Sequence, residues 1–115
     1  MVLKLLFWLY LAGLTLLCLI PPGGVDVGGS DKLAHGAAYF VLMSLAFGVF
    51  RGRYGLIWIA FSAITYGIVI ECVQPVTGRE FSLLDMAANA VGVAVMCGVI
   101  VLFSGPRGLL SPEGR

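Results

Sequence analysis

Four long apolar runs dominate this sequence and leave little of its 115 residues for anything else. Each run is about 20 residues long, enough for a helix to cross the hydrocarbon core of a bilayer. Hydrophobic residues make up 60% of the chain and charged residues only 11%, a composition outside the range of soluble domains. The chain is therefore predicted to be an all-α, polytopic membrane protein, with one four-helix domain over residues 1–115. The predicted spans are residues 2–20, 31–50, 54–73 and 83–103.

The first apolar run also fits the start of a signal peptide, because Lys4 precedes most of it. However, no A-x-A cleavage motif follows it. The residues before Cys18 also lack the small residue that lipoprotein processing needs. We therefore predict that this run is retained as the first membrane helix, ending at Pro21 and Pro22.

The distribution of lysine and arginine predicts the orientation of the four spans, since cytoplasmic ends carry the excess of positive charge. With the N-terminus in the cytoplasm, five of the seven basic residues lie inside and two lie outside. Both termini are thus predicted to be cytoplasmic, in a bacterial cytoplasmic membrane. The inner residues are Lys4, Arg51, Arg53, Arg107 and Arg115, and the outer ones are Lys32 and Arg79.

Most of the other polar residues fall at the predicted outer ends of the second, third and fourth helices. Spacings of i, i+4 place Asp31, His35 and Tyr39 on one helical stripe, and likewise Asp85 and Asn89. Ionisable groups in a membrane usually face a bundle interior or a wet cavity, because exposing them to lipid is costly. We therefore predict a polar pocket at this end. Its predicted ligand-binding residues are Asp31, Lys32, His35, Tyr39, Glu71, Gln74, Arg79, Asp85 and Asn89.

Some of these residues also have structural interpretations. Asp31 fits an N-cap of the second helix, and Ser82 with Asp85 fits a capping box at the start of the fourth. Tyr39 and Asn89 fit helix–helix hydrogen bonding as well as a pocket lining. Glu71 has no capping explanation and needs a partner such as Arg79 or His35. Cys18 and Cys72 both fall near the outer face, and the sequence does not show whether they meet.

Three blocks of the sequence together resemble the VanZ-like family, which is named for an accessory protein of glycopeptide resistance linked to reduced teicoplanin susceptibility. The resemblance runs from about Asp31 to Gly92, and helix one carries no motif of it. It implies a role at the cell envelope and places the motif residues at the same outer mouth. The blocks are Asp31-Lys32-Leu33-Ala34-His35, Glu71-x-x-Gln74, and Arg79 followed by Ser82-x-x-Asp85-x-x-x-Asn89-x-x-Gly92.

The leading hypothesis for function is binding of a lipid head group, a lipid-linked envelope precursor or a lipoglycopeptide at the outer mouth. Lys32 and Arg79 are the candidate contacts for phosphate or carboxylate. The alternative is an intramembrane enzyme that acts on a lipid-linked envelope substrate by acid–base chemistry. Its candidate catalytic residues are His35, Glu71 and Asp85.

Two further interpretations use the same residues. His35, Glu71 and Asp85 would serve a divalent ion, but a single histidine disfavours this, so no metal or cofactor is predicted. In a purely structural alternative, the charged residues pair with one another only to hold three helix ends together. Expected partners are membrane lipids. A net charge of +1 gives no basic surface for nucleic acid.

Overall fold

The computed structural model describes residues 1–20 and 29–112, with side chains described for 1–20 and 32–112. This part of the chain forms four helices: α1 (Val2–Leu19), α2 (Gly29–Phe50), α3 (Leu56–Val73) and α4 (Leu83–Ser104). All four are long and apolar enough to cross a membrane. The predicted all-α, four-helix architecture is confirmed.

The distribution of large apolar side chains is compatible with helices that contact lipid. Trp58, Phe61 and Phe103 are 58%, 63% and 83% exposed, although bulky hydrophobic side chains are normally withdrawn from water. The interior instead encloses polar groups together with residues such as Met43 and Val93. This arrangement fits four membrane-spanning helices.

Helix α2 lies at the centre of the described bundle, with α1, α3 and α4 packed around it. The backbones of α2 and α4 lie close together at Gly36 and Gly92. A Cβ atom added to Gly92 would lie 2.1 Å from the carbonyl oxygen of Gly36, so no side chain fits between the two backbones. Small residues at such crossings allow membrane helices to pack closely.

The helix boundaries differ from the predicted spans by a few residues. Helix α2 begins two residues before Asp31, and α3 begins at Leu56 rather than at 54. After α3 the chain continues as a 3-10 turn, Gln74–Thr77, which ends at Gly78 with φ of +87°. The predicted loop before α2 lies largely in residues 21–28, outside the described part of the chain.

The segment after α4 folds back onto the start of α3. The backbone amides of Leu56 and Ile57 donate to the carbonyl oxygens of Gly108 and Leu109, at 2.8 and 3.0 Å. The first amides of a helix have no partner within it, so these bonds satisfy two of them. The segment lies so close that a Cβ atom at Gly55 would be 2.5 Å from the backbone of Leu110.

Candidate functional site

Polar side chains from three helices are buried together at the end of the bundle where α1 and α3 end and α2 and α4 begin, here called the polar end. His35 lies on α2, Glu71 on α3, and Asp85 and Asn89 on α4. We call these four residues the polar cluster. Their exposed fractions are 8%, 0%, 6% and 2%. The sequence predicts that His35, Glu71, Arg79 and Asp85 share one pocket; ligand-type atoms of His35, Glu71 and Asp85 lie within 4.8 Å of one another, whereas the Arg79 guanidinium lies at the end of α1.

Asp85 begins α4 in an incomplete capping box. The Ser82 hydroxyl oxygen accepts from the Asp85 amide at 3.2 Å, as the sequence predicts. In a complete box the acid would accept in return from the Ser82 amide. Here Glu71 takes that bond from the neighbouring helix, with its Oε2 at 3.4 Å from the Ser82 nitrogen. The Asp85 carboxylate is turned instead toward α2.

On α2 the Asp85 carboxylate meets Lys32 and His35. Its Oδ1 forms an ion pair with the ammonium of Lys32, whose side chain is 40% exposed at the rim of the cluster. Its Oδ2 lies 3.6 Å from Nε2 of His35. The other ring nitrogen, Nδ1, donates to Asn89 Oδ1 at 3.1 Å. The imidazole is thus fixed between two residues one turn apart on α4.

Glu71 is the most deeply buried member of the cluster. The long bond from the Ser82 amide to Oε2 is its one hydrogen bond among the described residues, and Oε1 has no partner. No lysine or arginine of the described chain forms an ion pair with it. Burying a carboxylate without a counter-charge is costly, so the environment of Glu71 does not explain its presence.

Three further polar atoms at or below this level are buried without a hydrogen-bond partner in the part of the chain that the structure describes. Native structures contain few such atoms, and each calls for an explanation such as a bound water, an ion or a catalytic role. Four such atoms within neighbouring turns, without a partner among the described residues, mark this end of the bundle as a candidate site. With Glu71 Oε1, they are Tyr39 Oη, Gln74 Oε1 and Asn89 Nδ2.

Arg79 and Gln74 bind the end of α1. The Arg79 guanidinium donates to the carbonyl oxygens of Leu17 and Ile20 at 3.3 and 3.2 Å. The Gln74 amide donates to Cys18 O at 3.0 Å. These carbonyls have no partner within their helix, and a cation stabilises the negative end of the helix dipole. Arg79, one of the two partners that the sequence suggested for Glu71, thus binds the end of α1 instead.

Of the remaining predicted residues, Tyr39 is buried near the cluster, and the side chain of Asp31 is not described. Tyr39 is wholly buried one turn below His35, beside Gly67 of α3. The side chain of Asp31 lies outside the described residues, so its predicted capping and binding roles are not addressed. All three cysteines are thiols rather than disulfides, with Cys18 buried and Cys72 exposed.

The sequence did not reveal two features of the bundle. Thr15 and Tyr66 share a hydrogen bond of 2.6 Å between α1 and α3. An apolar cleft of about 700 Å³ also opens between α1, α2 and α3, lined by residues such as Phe7, Phe50 and Trp58. In the sequence, the cleft was indicated only by aromatic residues on three spans, and such residues are equally common on lipid-facing surfaces.

The chemistry available to the cluster is that of one imidazole and two carboxylates. His35, Glu71 and Asp85 each offer a ligand-type atom, and these atoms lie within 4.8 Å of one another. Such a set can exchange protons, bind a cation, or orient a basic group toward an anion. In comparisons with known proteins, no family model, curated protein or solved structure matches the chain.

Proposed function

We propose that this chain is a VanZ-like accessory protein of the bacterial cytoplasmic membrane. Its polar end faces the outside of the cell and binds the head group of a lipid or of a lipid-linked envelope precursor. The four apolar helices support the membrane location. The order of the three motif blocks supports the family, and the excess of basic residues at the other end supports the orientation.

The observation that carries this proposal is the set of four buried polar atoms that have no hydrogen-bond partner among the described residues: Tyr39 Oη, Glu71 Oε1, Gln74 Oε1 and Asn89 Nδ2. A set of charges that served only to lock helices together would satisfy its own members, because an unpaired buried polar group costs about 1–3 kcal/mol. A binding site leaves such groups for its ligand. Lys32, partly exposed beside the cluster, supplies a positive charge for phosphate.

The test is the set of molecules that copurify with the protein in mild detergent. Lipids, lipid-linked precursors and added glycopeptide are quantified by mass spectrometry on the wild type and on Glu71→Gln. We expect one head-group class on the wild type and at least about tenfold less of it on the variant, the loss that follows from about 1.4 kcal/mol of binding free energy. The chemical class of the molecule bound to the wild type shows whether the ligand is an ordinary lipid or a lipid-linked diphosphate.

Glu80→Gln is the matched control, because Glu80 is an exposed acid at the same end of the bundle. It should keep the wild-type set of bound molecules. Identical sets for all three proteins would refute a binding role for the cluster.

An acid–base enzyme is the second candidate, and the His35–Asp85 geometry favours it. Asn89 holds one ring nitrogen while the other faces a carboxylate, which is how a catalytic imidazole is often oriented. Incubation with the copurified molecule distinguishes the two functions, because an enzyme converts it and a binding protein returns it unchanged.

A further inference from the structure

The polar cluster contains the donor set of a metal site, contributed by three separate helices. His35, Glu71 and Asp85 are all buried, and one ligand-type atom from each lies within 4.8 Å of the others. Metal bonds of about 2.0–2.1 Å to nitrogen and oxygen would require each atom to move inward by at most roughly 0.7 Å. Side-chain adjustment alone supplies a movement of this size.

The hydrogen bonds around His35 prepare its second nitrogen for a cation. Asn89 Oδ1 is an acceptor, so in this hydrogen bond Nδ1 of His35 carries a proton. The other ring nitrogen, Nε2, lies 3.6 Å from Asp85 Oδ2. With Nδ1 fixed in this way, Nε2 is the ring atom that a cation would use. Fixing one ring nitrogen so that the other can ligate is the usual arrangement around metal-bound histidines.

The two carboxylates are held in a similar way. Oδ1 of Asp85 forms an ion pair with the ammonium of Lys32, and Oε2 of Glu71 accepts a hydrogen bond from the Ser82 amide. The second oxygen of Asp85 faces the imidazole, and the second oxygen of Glu71 is buried with no hydrogen-bond partner among the described residues. This buried oxygen is an observation independent of the distances between the three donors, and a cation would satisfy it.

We propose that His35 Nε2, a carboxylate oxygen of Glu71 and Asp85 Oδ2 bind a divalent transition-metal ion. Zn²⁺ is the best fit to one imidazole and two carboxylates. Three protein ligands leave a fourth position for water or for an anionic oxygen of a ligand. The inference stands apart from the proposed lipid ligand, because metal binding by the protein alone can be measured.

The experiment titrates the full-length protein in detergent with ZnCl₂. The affinity tag is removed and Cys72 is replaced by serine, since its exposed thiol would itself bind zinc. We expect about one Zn²⁺ per chain and a rise in the melting temperature, because a ligand that binds only the folded state stabilises it. His35→Gln, Glu71→Gln and Asp85→Asn should each abolish both effects.

Two further variants separate a metal site from loss of folding. Asn89→Ala keeps all three ligands and should weaken zinc binding by about 10–100-fold, as loss of an orienting partner does. Glu80→Gln should bind like the parent. Should the ligand variants fail to fold, the Co²⁺ spectrum of the parent protein decides: intense d–d bands support a low-coordinate protein site, and the spectrum of aqueous Co²⁺ overturns the proposal. Equal zinc loss in Glu80→Gln would also overturn it.

Discussion

At the scale of single residues, two charged side chains make contacts that their positions in the sequence do not suggest. Arg79 lies in a loop beside a buried carboxylate, yet its guanidinium binds the carbonyls at the end of α1. Glu71, at the edge of an apolar helix, takes the capping bond that Asp85 would normally accept. As a result Asp85 is available to Lys32 and His35.

Replacing Glu71 by glutamine should leave the folded protein at least as stable in zinc-free detergent. Breaking a buried ion pair commonly costs about 3–5 kcal/mol because the other charge is left unpaired. Glu71 pairs with no basic residue in the described chain, so the change removes a buried charge and orphans none. The measurements are membrane abundance and melting temperature. A drop as large as that of a broken ion pair would show that the cluster is structural.

Arg79→Gln should lower stability by about 1 kcal/mol, the usual effect of a cation at a helix C-terminus, discounted for its exposure to solvent. Its contacts lie at the end of α1, so zinc binding and the copurifying molecules should be unchanged. Lys4→Gln is a control for loss of positive charge, since Lys4 lies at the start of α1. Loss of bound ligand in Arg79→Gln with normal stability would instead place Arg79 in the site.

At the scale of helices, the sequence predicts some relations and not others. Bilayer thickness limits span length, so the four helices were predictable to within a few residues. The spacing of four residues correctly placed His35 with Tyr39, and Asp85 with Asn89, on common stripes. The partner of Arg79 was not predictable, because a helix end offers carbonyls whatever its sequence, and only the packing of α1 brings them within reach.

Gly92→Ala should disrupt the α2–α4 pair. The added methyl group would lie 2.1 Å from Gly36 O, so the backbones must separate, at a cost of about 1–3 kcal/mol or more. Because Lys32 and His35 reach Asp85 and Asn89 across this contact, the variant should also lose the polar cluster. Melting temperature and zinc binding are the measurements.

Gly98→Ala tests the same substitution on the same helix without the contact, since nothing lies within 4 Å of its added Cβ atom. It should be neutral or stabilising, because alanine favours helix by up to about 1 kcal/mol over glycine. Equal losses from both variants would mean that flexibility of α4, rather than close packing, is what the glycines provide.

At the scale of the whole molecule, orientation decides which compartment the polar end faces. Single cysteines are introduced into a chain whose native cysteines are replaced by alanine, at Gly52 between α2 and α3 or at Glu80 before α4. Both positions are exposed and lie at opposite ends of the bundle. The basic residues predict that a membrane-impermeant thiol reagent labels position 80 on intact cells, and position 52 only after lysis. The reverse pattern would put the site in the cytoplasm.

The bonds from Leu56 and Ile57 to Gly108 and Leu109 have a consequence for the order in which the molecule is made. The carbonyl groups that complete the start of α3 leave the ribosome after α4. While the last span is being inserted, α3 therefore keeps uncapped amides at that end. A nascent chain stopped before residue 108 would carry all four spans but lack both of these bonds opposite the polar end, so we expect this end of α3 to be completed only after the last span has been made.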